Sequence, residues 1–183
     1  MSRHDVWFKT SVVRSLMYSK FRDVMGNEYH FHTHSDEGGV ARQPVPSPHA
    51  RRELATCLVV SSCPLRRAEL RSAAQDAGWE TMVCDDADSA RLAVRRYRFQ
   101  MAWVDTDSFD DSADGEEICQ GLAWMDHVLL AVCGREGDVQ EEIWARQLGV
   151  WLYLPGLPIG QGAEIQMLCE QGLLLASRLQ AAC

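Results

Sequence analysis

The chain has 183 residues, 18 Lys and Arg against 26 Asp and Glu, a formal net charge of −8 and a hydrophobic fraction of 46%. This length suits one ordinary domain with an appendage and is too short for a (β/α)8 barrel, which needs about 250 residues. The acidic balance argues against binding to nucleic acid or to an anionic membrane surface, since both need clustered positive charge.

The first 36 residues carry an amphipathic pattern that predicts a helix. Apolar side chains recur at helical spacing and are followed by Gly26-Asn27, a typical helix end; they are Val13, Leu16, Met17, Phe21, Val24 and Met25. A lone helix of this length is marginal in water. We therefore expect it to dock on its own domain, on a partner or on a membrane surface, with protein as the default.

Three histidines follow the predicted helix at alternate positions, His30, His32 and His34. On an extended chain alternate side chains share one face, so the three imidazoles could converge on Zn²⁺, Ni²⁺ or Cu²⁺. The alternative is a polar loop that leads into the next segment.

A Gly- and Pro-rich linker is predicted over residues 37–52, because prolines at alternate positions disfavour helix and favour extended chain. The charge changes across this linker. Residues 1–55 carry eight Lys or Arg against six Asp or Glu, and the remainder carries ten Arg against twenty Asp or Glu. We therefore predict a folded domain over residues 53–183.

The seven cysteines are scattered without a CxxC pair, and several lie in apolar runs. Reduced core thiols in a cytoplasmic protein are expected, in place of a disulfide framework or a zinc site. No apolar run approaches the ~18 residues of a membrane span, and the N-terminus lacks the apolar stretch of a secretory signal. We therefore expect no membrane span.

Strands and helices alternate along the predicted domain. Short apolar runs predict five strands, at residues 56–61, 80–84, 100–104, 128–132 and 150–154. Five helices are predicted between and after them, with Pro64 and Gly78 bounding the first and with caps at Asp88-Ser89, at Asp114 with Glu117, and at Asp138. Five such βα units predict an α/β fold with a doubly wound parallel sheet.

Three stretches of this domain resemble the receiver domain of two-component response regulators, a flavodoxin-like (βα)5 fold. Thr56-Cys-Leu-Val-Val60 resembles the first receiver strand, and Ala102-Trp-Val-Asp105 resembles the third strand ending in the phospho-accepting aspartate. Gln147-Leu-Gly-Val-Trp-Leu-Tyr-Leu154 resembles the approach to the end of the fifth strand. The resemblance extends from about Thr56 to Ala182.

The resemblance implies a site with four parts, of which this chain keeps one. In a receiver, an acidic pair after strand 1 holds Mg²⁺ together with the aspartate, a Ser or Thr follows strand 4, and a lysine follows strand 5. In this chain no lysine occurs after residue 20. The three divergent positions hold Ser61-Ser62, Cys133 or Gly134, and Pro155-Gly156.

Asp105 is the remaining phospho-acceptor candidate, and the alternative is a loop aspartate that caps local backbone. One carboxylate cannot hold a mostly hydrated Mg²⁺ tightly, and phosphate is repelled from an acidic site. We therefore expect a degenerate receiver, or pseudo-receiver, that is not an enzyme and needs no cofactor.

Aromatic and apolar residues concentrate in the last two βα units, where receivers commonly form dimers or bind partners. Those that could form an interface are Trp144, Trp151, Tyr153, Met167, Leu174 and Leu175. The alternative is that the N-terminal helix covers this surface within the chain.

The predicted function is a non-catalytic signalling module that acts through a protein partner or self-association, without phosphorylation. Two alternatives stay open: a phospho-accepting receiver at Asp105 with atypical loops, and a metal-binding protein that uses the three histidines.

Overall fold

The structure is a computed structural model that describes residues 55–126 and 128–181. The predicted N-terminal helix, the metal candidates His30, His32 and His34, the linker and the domain boundary at residue 53 all lie outside the described residues.

Five parallel strands form one sheet in the order β2-β1-β3-β4-β5. The strands are β1 (Thr56–Val60), β2 (Glu80–Cys84), β3 (Met101–Asp105), β4 (Leu129–Gly134) and β5 (Leu152–Pro155). The order reverses beside β1, as it does in a doubly wound sheet, so the predicted fold class is confirmed.

The helices cover both faces of this sheet. They are α1 (Pro64–Asp76), α2 (Ala87–Arg96), α3 (Ser112–Ala123), α4 (Val139–Leu148) and α5 (Gly162–Ala181). Helix α1 packs against α5, while α2 packs against α3. No helix among these described residues is long and apolar enough to cross a membrane.

Local capping signals place several helix ends as predicted. Pro64 begins α1, where its missing N–H costs no hydrogen bond, and Gly78 follows the end of that helix with a φ of 96°. The Asp138 side chain accepts a hydrogen bond from the Glu141 N–H and caps α4, and Gly149 ends α4 with a φ of 81°.

Two predicted caps were wrong by a few residues. Asp86 caps α2 by accepting from the Ser89 N–H at 2.6 Å, and Asp111 caps α3 by accepting from the Ala113 N–H at 2.9 Å. Asp114 instead lies inside α3 and pairs with Arg91 of α2. Adjacent acidic residues compete for one cap, and the path of the preceding loop selects between them.

Alternation along the strands divides the core into two layers. Leu58, Ala102 and Val132 belong to the layer under α2, α3 and α4. The intervening residues face the other helices, as shown by Gly172 of α5, whose missing Cβ leaves room for the Met101 sulfur. Both layers are buried, which explains the near-continuous apolar strands.

Candidate functional site

The carboxyl ends of the strands bring the candidate site together at one edge of the sheet. Asp105 is the last residue of β3 and lies level with Cys133 of β4. Its side chain is 5% exposed, and its Oδ2 accepts a hydrogen bond from the Ser61 hydroxyl at 2.7 Å. Asp105 precedes a short helical turn at Thr106–Ser108, and its side chain makes no capping hydrogen bond to that turn.

Burial raises the pKa of the Asp105 carboxyl above its usual value of 3.8. The Ser61 hydroxyl and the charge of Arg66 oppose this shift, while the neighbouring charge of Asp107 adds to it. The carboxylate therefore carries a desolvation penalty that its hydrogen bonds and nearby cation offset only in part.

Hydroxyl groups connect the loops after β1 and β3. The Ser62 N–H donates to Ser108 Oγ at 3.0 Å, and the Ser62 hydroxyl donates to the Ser108 carbonyl. Ser108 in turn donates to the Asp105 carbonyl at 2.8 Å. Neutral serine side chains thus join the loops after β1 and β3. In a receiver, the resemblance would place an acidic pair and Mg²⁺ there.

Helix α1 supplies Arg66, the cation whose charge acts on the Asp105 carboxyl. Arg66 is 8% exposed and donates to the carbonyls of Leu157 and Pro158, at 3.2 Å for Pro158. It also pairs with Glu69 at 3.3 Å, and Glu69 accepts from the Gly160 N–H at 2.8 Å. Arg66 and Glu69 therefore fasten the loop after β5 to α1.

The end of β4 is apolar and tightly filled. Cys133, level with Asp105, is 2% exposed, and burial raises the pKa of its thiol. A Cβ at Gly134 would overlap the ring of Tyr153. Of the two candidates for the hydroxyl position, Cys133 lies level with Asp105, and Gly134 leaves room for an aromatic ring.

These residues do not fit Mg²⁺. Asp105 is the one carboxylate among the serines that join the first two loops, and one of its oxygens accepts the Ser61 hydroxyl. Asp107 is more than half exposed and pairs with Arg135 at 3.6 Å. Across residues 55–126 and 128–181, no group of three or more His, Cys, Asp or Glu is arranged to hold a metal ion.

The predicted interface residues differ in their exposure. Met167 and Leu174 on α5 are 46% and 58% exposed, while the other four are half-buried. Trp144 and Tyr153 pack in part against the core under α4. Met167 and Leu174 are therefore the most exposed of the six predicted interface residues.

Sequence reasoning did not identify Arg66 and Glu69 as site residues. They lie 91 residues or more from the backbone groups that they bind in the loop after β5. The signal available in the sequence was its composition. Because no lysine follows residue 20, a cationic side chain near Asp105 is expected to be an arginine.

Comparison with known proteins identifies the fold but no sequence relative. No protein-family model matches the chain, and no curated protein matches it. Solved receiver domains do match its structure.

Three of these structures show the extent of the likeness. A CheY-like response regulator receiver domain protein from Methanospirillum hungatei JF-1 has 13% sequence identity and a TM-score of 0.57, and the match covers 68% of this chain and 98% of that one. A response regulator from Thermotoga maritima has 15% identity and a TM-score of 0.52, with 68% and 98% covered.

NtrX from Brucella abortus has 18% identity and a TM-score of 0.59, and its match covers 70% of this chain but 29% of that one. The likeness thus spans nearly the whole of the single-domain structures and one part of a longer protein. The described part of this chain therefore has the CheY-like, flavodoxin-type fold of response-regulator receiver domains.

Proposed function

We propose that this domain is a phosphorylation-independent signalling module, a pseudo-receiver that acts through contacts with a protein partner or a second copy of itself. The observation that carries the proposal is the buried hydrogen bond from Ser61 to Asp105. A hydroxyl group there supplies no negative charge, so the site lacks the paired carboxylates that draw a divalent cation to a phosphoryl group.

The surroundings of Asp105 support the same proposal. A phosphoryl group needs cations and donors arranged around its oxygens, since positioning and charge stabilisation dominate phosphoryl transfer. Here the guanidinium of Arg66 already binds two carbonyls and Glu69. The thiol of Cys133 is a weak donor and is buried. We propose as well that the module works in the cytoplasm and uses neither catalytic residues nor a cofactor.

Treatment of the full chain with acetyl phosphate and Mg²⁺, followed by intact-mass spectrometry, tests this proposal. A phosphorylatable receiver domain serves as the positive control for the donor. We expect no mass increase of one phosphoryl group in the wild type or in the variants Asp105→Asn and Asp107→Asn. A stable increase in the wild type that Asp105→Asn abolishes and Asp107→Asn retains would overturn the proposal.

One observation favours the alternative of a phospho-accepting receiver. Asp105 stands at the carboxyl end of β3, and the charge of Arg66 lies near enough to lower the pKa of its carboxyl. Arg66 could then serve in place of the lysine after β5. The same assay decides, because this alternative predicts an adduct that Arg66→Gln weakens.

A further inference from the structure

A single carboxylate on α4 connects four parts of the chain beside the candidate site. Thr106, the residue after Asp105, has a hydroxyl whose one proton is shared between Glu141 Oε1 and the Cys133 carbonyl, which lies 3.0 Å away. Glu141 Oε2 accepts from the N–H of Arg135 at 2.8 Å and from the hydroxyl of Tyr153 at 3.2 Å. The end of β3, the loop after β4, β5 and α4 therefore meet at one side chain.

Two of the donors that face Glu141, Thr106 and Tyr153, are closely packed against other elements. The Thr106 side chain is 4% exposed, and its Cγ2 would lie 2.9 Å from a Cβ at Gly115 of α3. The Tyr153 ring lies over Gly134, where no other residue would leave it room. The Glu141 backbone is fixed by the Asp138 cap at 3.0 Å. The surroundings therefore leave the Thr106 side chain and the Tyr153 ring little room.

We propose that Glu141 is an internal lock that holds the loop after β4 and the Tyr153 ring in one arrangement. A charged acceptor strengthens each of its hydrogen bonds, and three donors on one carboxylate fix the separation of the elements that carry them. With the loop and the ring held by Glu141, the surface formed by α4 and β5 keeps one conformation. The inference rests on the proposed function, because a module that is not switched by phosphorylation needs a fixed surface to present.

Hydrogen–deuterium exchange on the full chain tests the lock, with Glu141→Ala compared with Glu142→Ala. Glu142 is the matched control, since it lies next in the first turn of α4 and pairs with the exposed Arg146. We expect Glu141→Ala to raise exchange at residues 135–138 by about tenfold, because opening of this loop becomes easier when a charge-assisted hydrogen bond is lost. Glu142→Ala should leave exchange there unchanged.

Peptides from β1 and β3 report whether each variant retains its fold. If Glu141→Ala does not fold, Tyr153→Phe and Thr106→Val remove one donor each, and each should raise exchange in the same loop by a smaller factor. Equal exchange in the Glu141 and Glu142 variants, or no change in any of the donor variants, would overturn the lock. This outcome is distinct from failure of the proposed function, since exchange is measured without a phosphodonor.

Discussion

A buried carboxylate beside serine hydroxyls is the defining feature of this site at the scale of residues. Asp105 is 5% exposed, and Ser61 is fully buried beside it. Since burial is the largest influence on this carboxyl and raises its pKa, the ionised form is costly to keep inside the protein. The nearby charge of Arg66 reduces this cost.

The substitution Asp105→Asn should stabilise the protein at neutral pH. A folded-state pKa above the unfolded value of 3.8 means that the native state binds the proton more tightly. The stability contributed by the protonated carboxyl is thus fully present below that unfolded value and is lost as pH rises through the folded pKa. We expect Asn to raise the free energy of unfolding by about 1 kcal/mol at neutral pH, the lower end of the cost of an imperfectly compensated buried polar group.

Urea unfolding at a series of pH values checks this prediction. The difference between wild type and Asp105→Asn should shrink as pH falls towards 3.8. The exposed Asp107 supplies a control, and Asp107→Asn should show little of this pH dependence. A destabilising Asp105→Asn at neutral pH would show that the carboxylate contributes more through its charge than it costs by burial.

Between elements, Arg66 and Glu69, which pair with each other on α1, hold the loop after β5 through hydrogen bonds to its backbone. The side chains of Arg66 and Glu69 are 10% and 12% exposed, and both also bind backbone groups of that loop. A charge pair at this depth is expensive to disrupt, because the remaining partner is left unpaired away from water.

We expect Arg66→Ala to lower the free energy of unfolding by about 3 kcal/mol, since it leaves Glu69 and two carbonyls without their cation. Arg71, which is exposed on the same helix, supplies the matched control. Arg71→Ala should change stability by less than about 0.5 kcal/mol. Chemical denaturation measures both, and an equal loss in the two variants would contradict the fastening role of Arg66.

Over the whole molecule, the proposed function needs a contact surface, and α5 supplies exposed apolar side chains. Met167 and Leu174 are 46% and 58% exposed, whereas Leu92 is 48% exposed on α2. Since α5 packs with α1 and α2 packs with α3, these side chains belong to different helix layers. This separation allows a comparison of two surfaces at similar exposure.

The double variant Met167→Glu/Leu174→Glu should weaken self-association in sedimentation velocity by about tenfold, the effect of losing central apolar contacts. Its free energy of unfolding should stay within about 0.5 kcal/mol of the wild type, because both side chains are exposed. Leu92→Glu should alter neither quantity. Equal weakening by Leu92→Glu would contradict a contact through α5, and a wild type that is monomeric at every concentration would contradict self-association.

Local patterns in the chain predicted the architecture because each strand and helix reflects its own neighbourhood. Five apolar runs became five strands, and Pro64, Gly78, Asp138 and Gly149 set helix ends through groups within a few residues of them. The resemblance to receiver domains, and not local pattern alone, placed Asp105 at the end of the third strand. Strand ends and two caps moved by a few residues, since pairing and loop paths decide them.

The arrangement around Asp105 depended on the tertiary structure. The hydrogen bonds here join residues that are far apart in the sequence. Ser61 binds Asp105, 44 residues away, and Arg66 binds the Pro158 carbonyl, 92 residues away. Glu141 binds Thr106, 35 residues away. Only the strand order and register bring such groups within hydrogen-bond distance, and no local periodicity encodes either. Composition showed that lysine was absent downstream of residue 20. The fold determined that serine hydroxyls and the charge of an arginine from α1 act on Asp105, while a glutamate from α4 binds the next residue, Thr106.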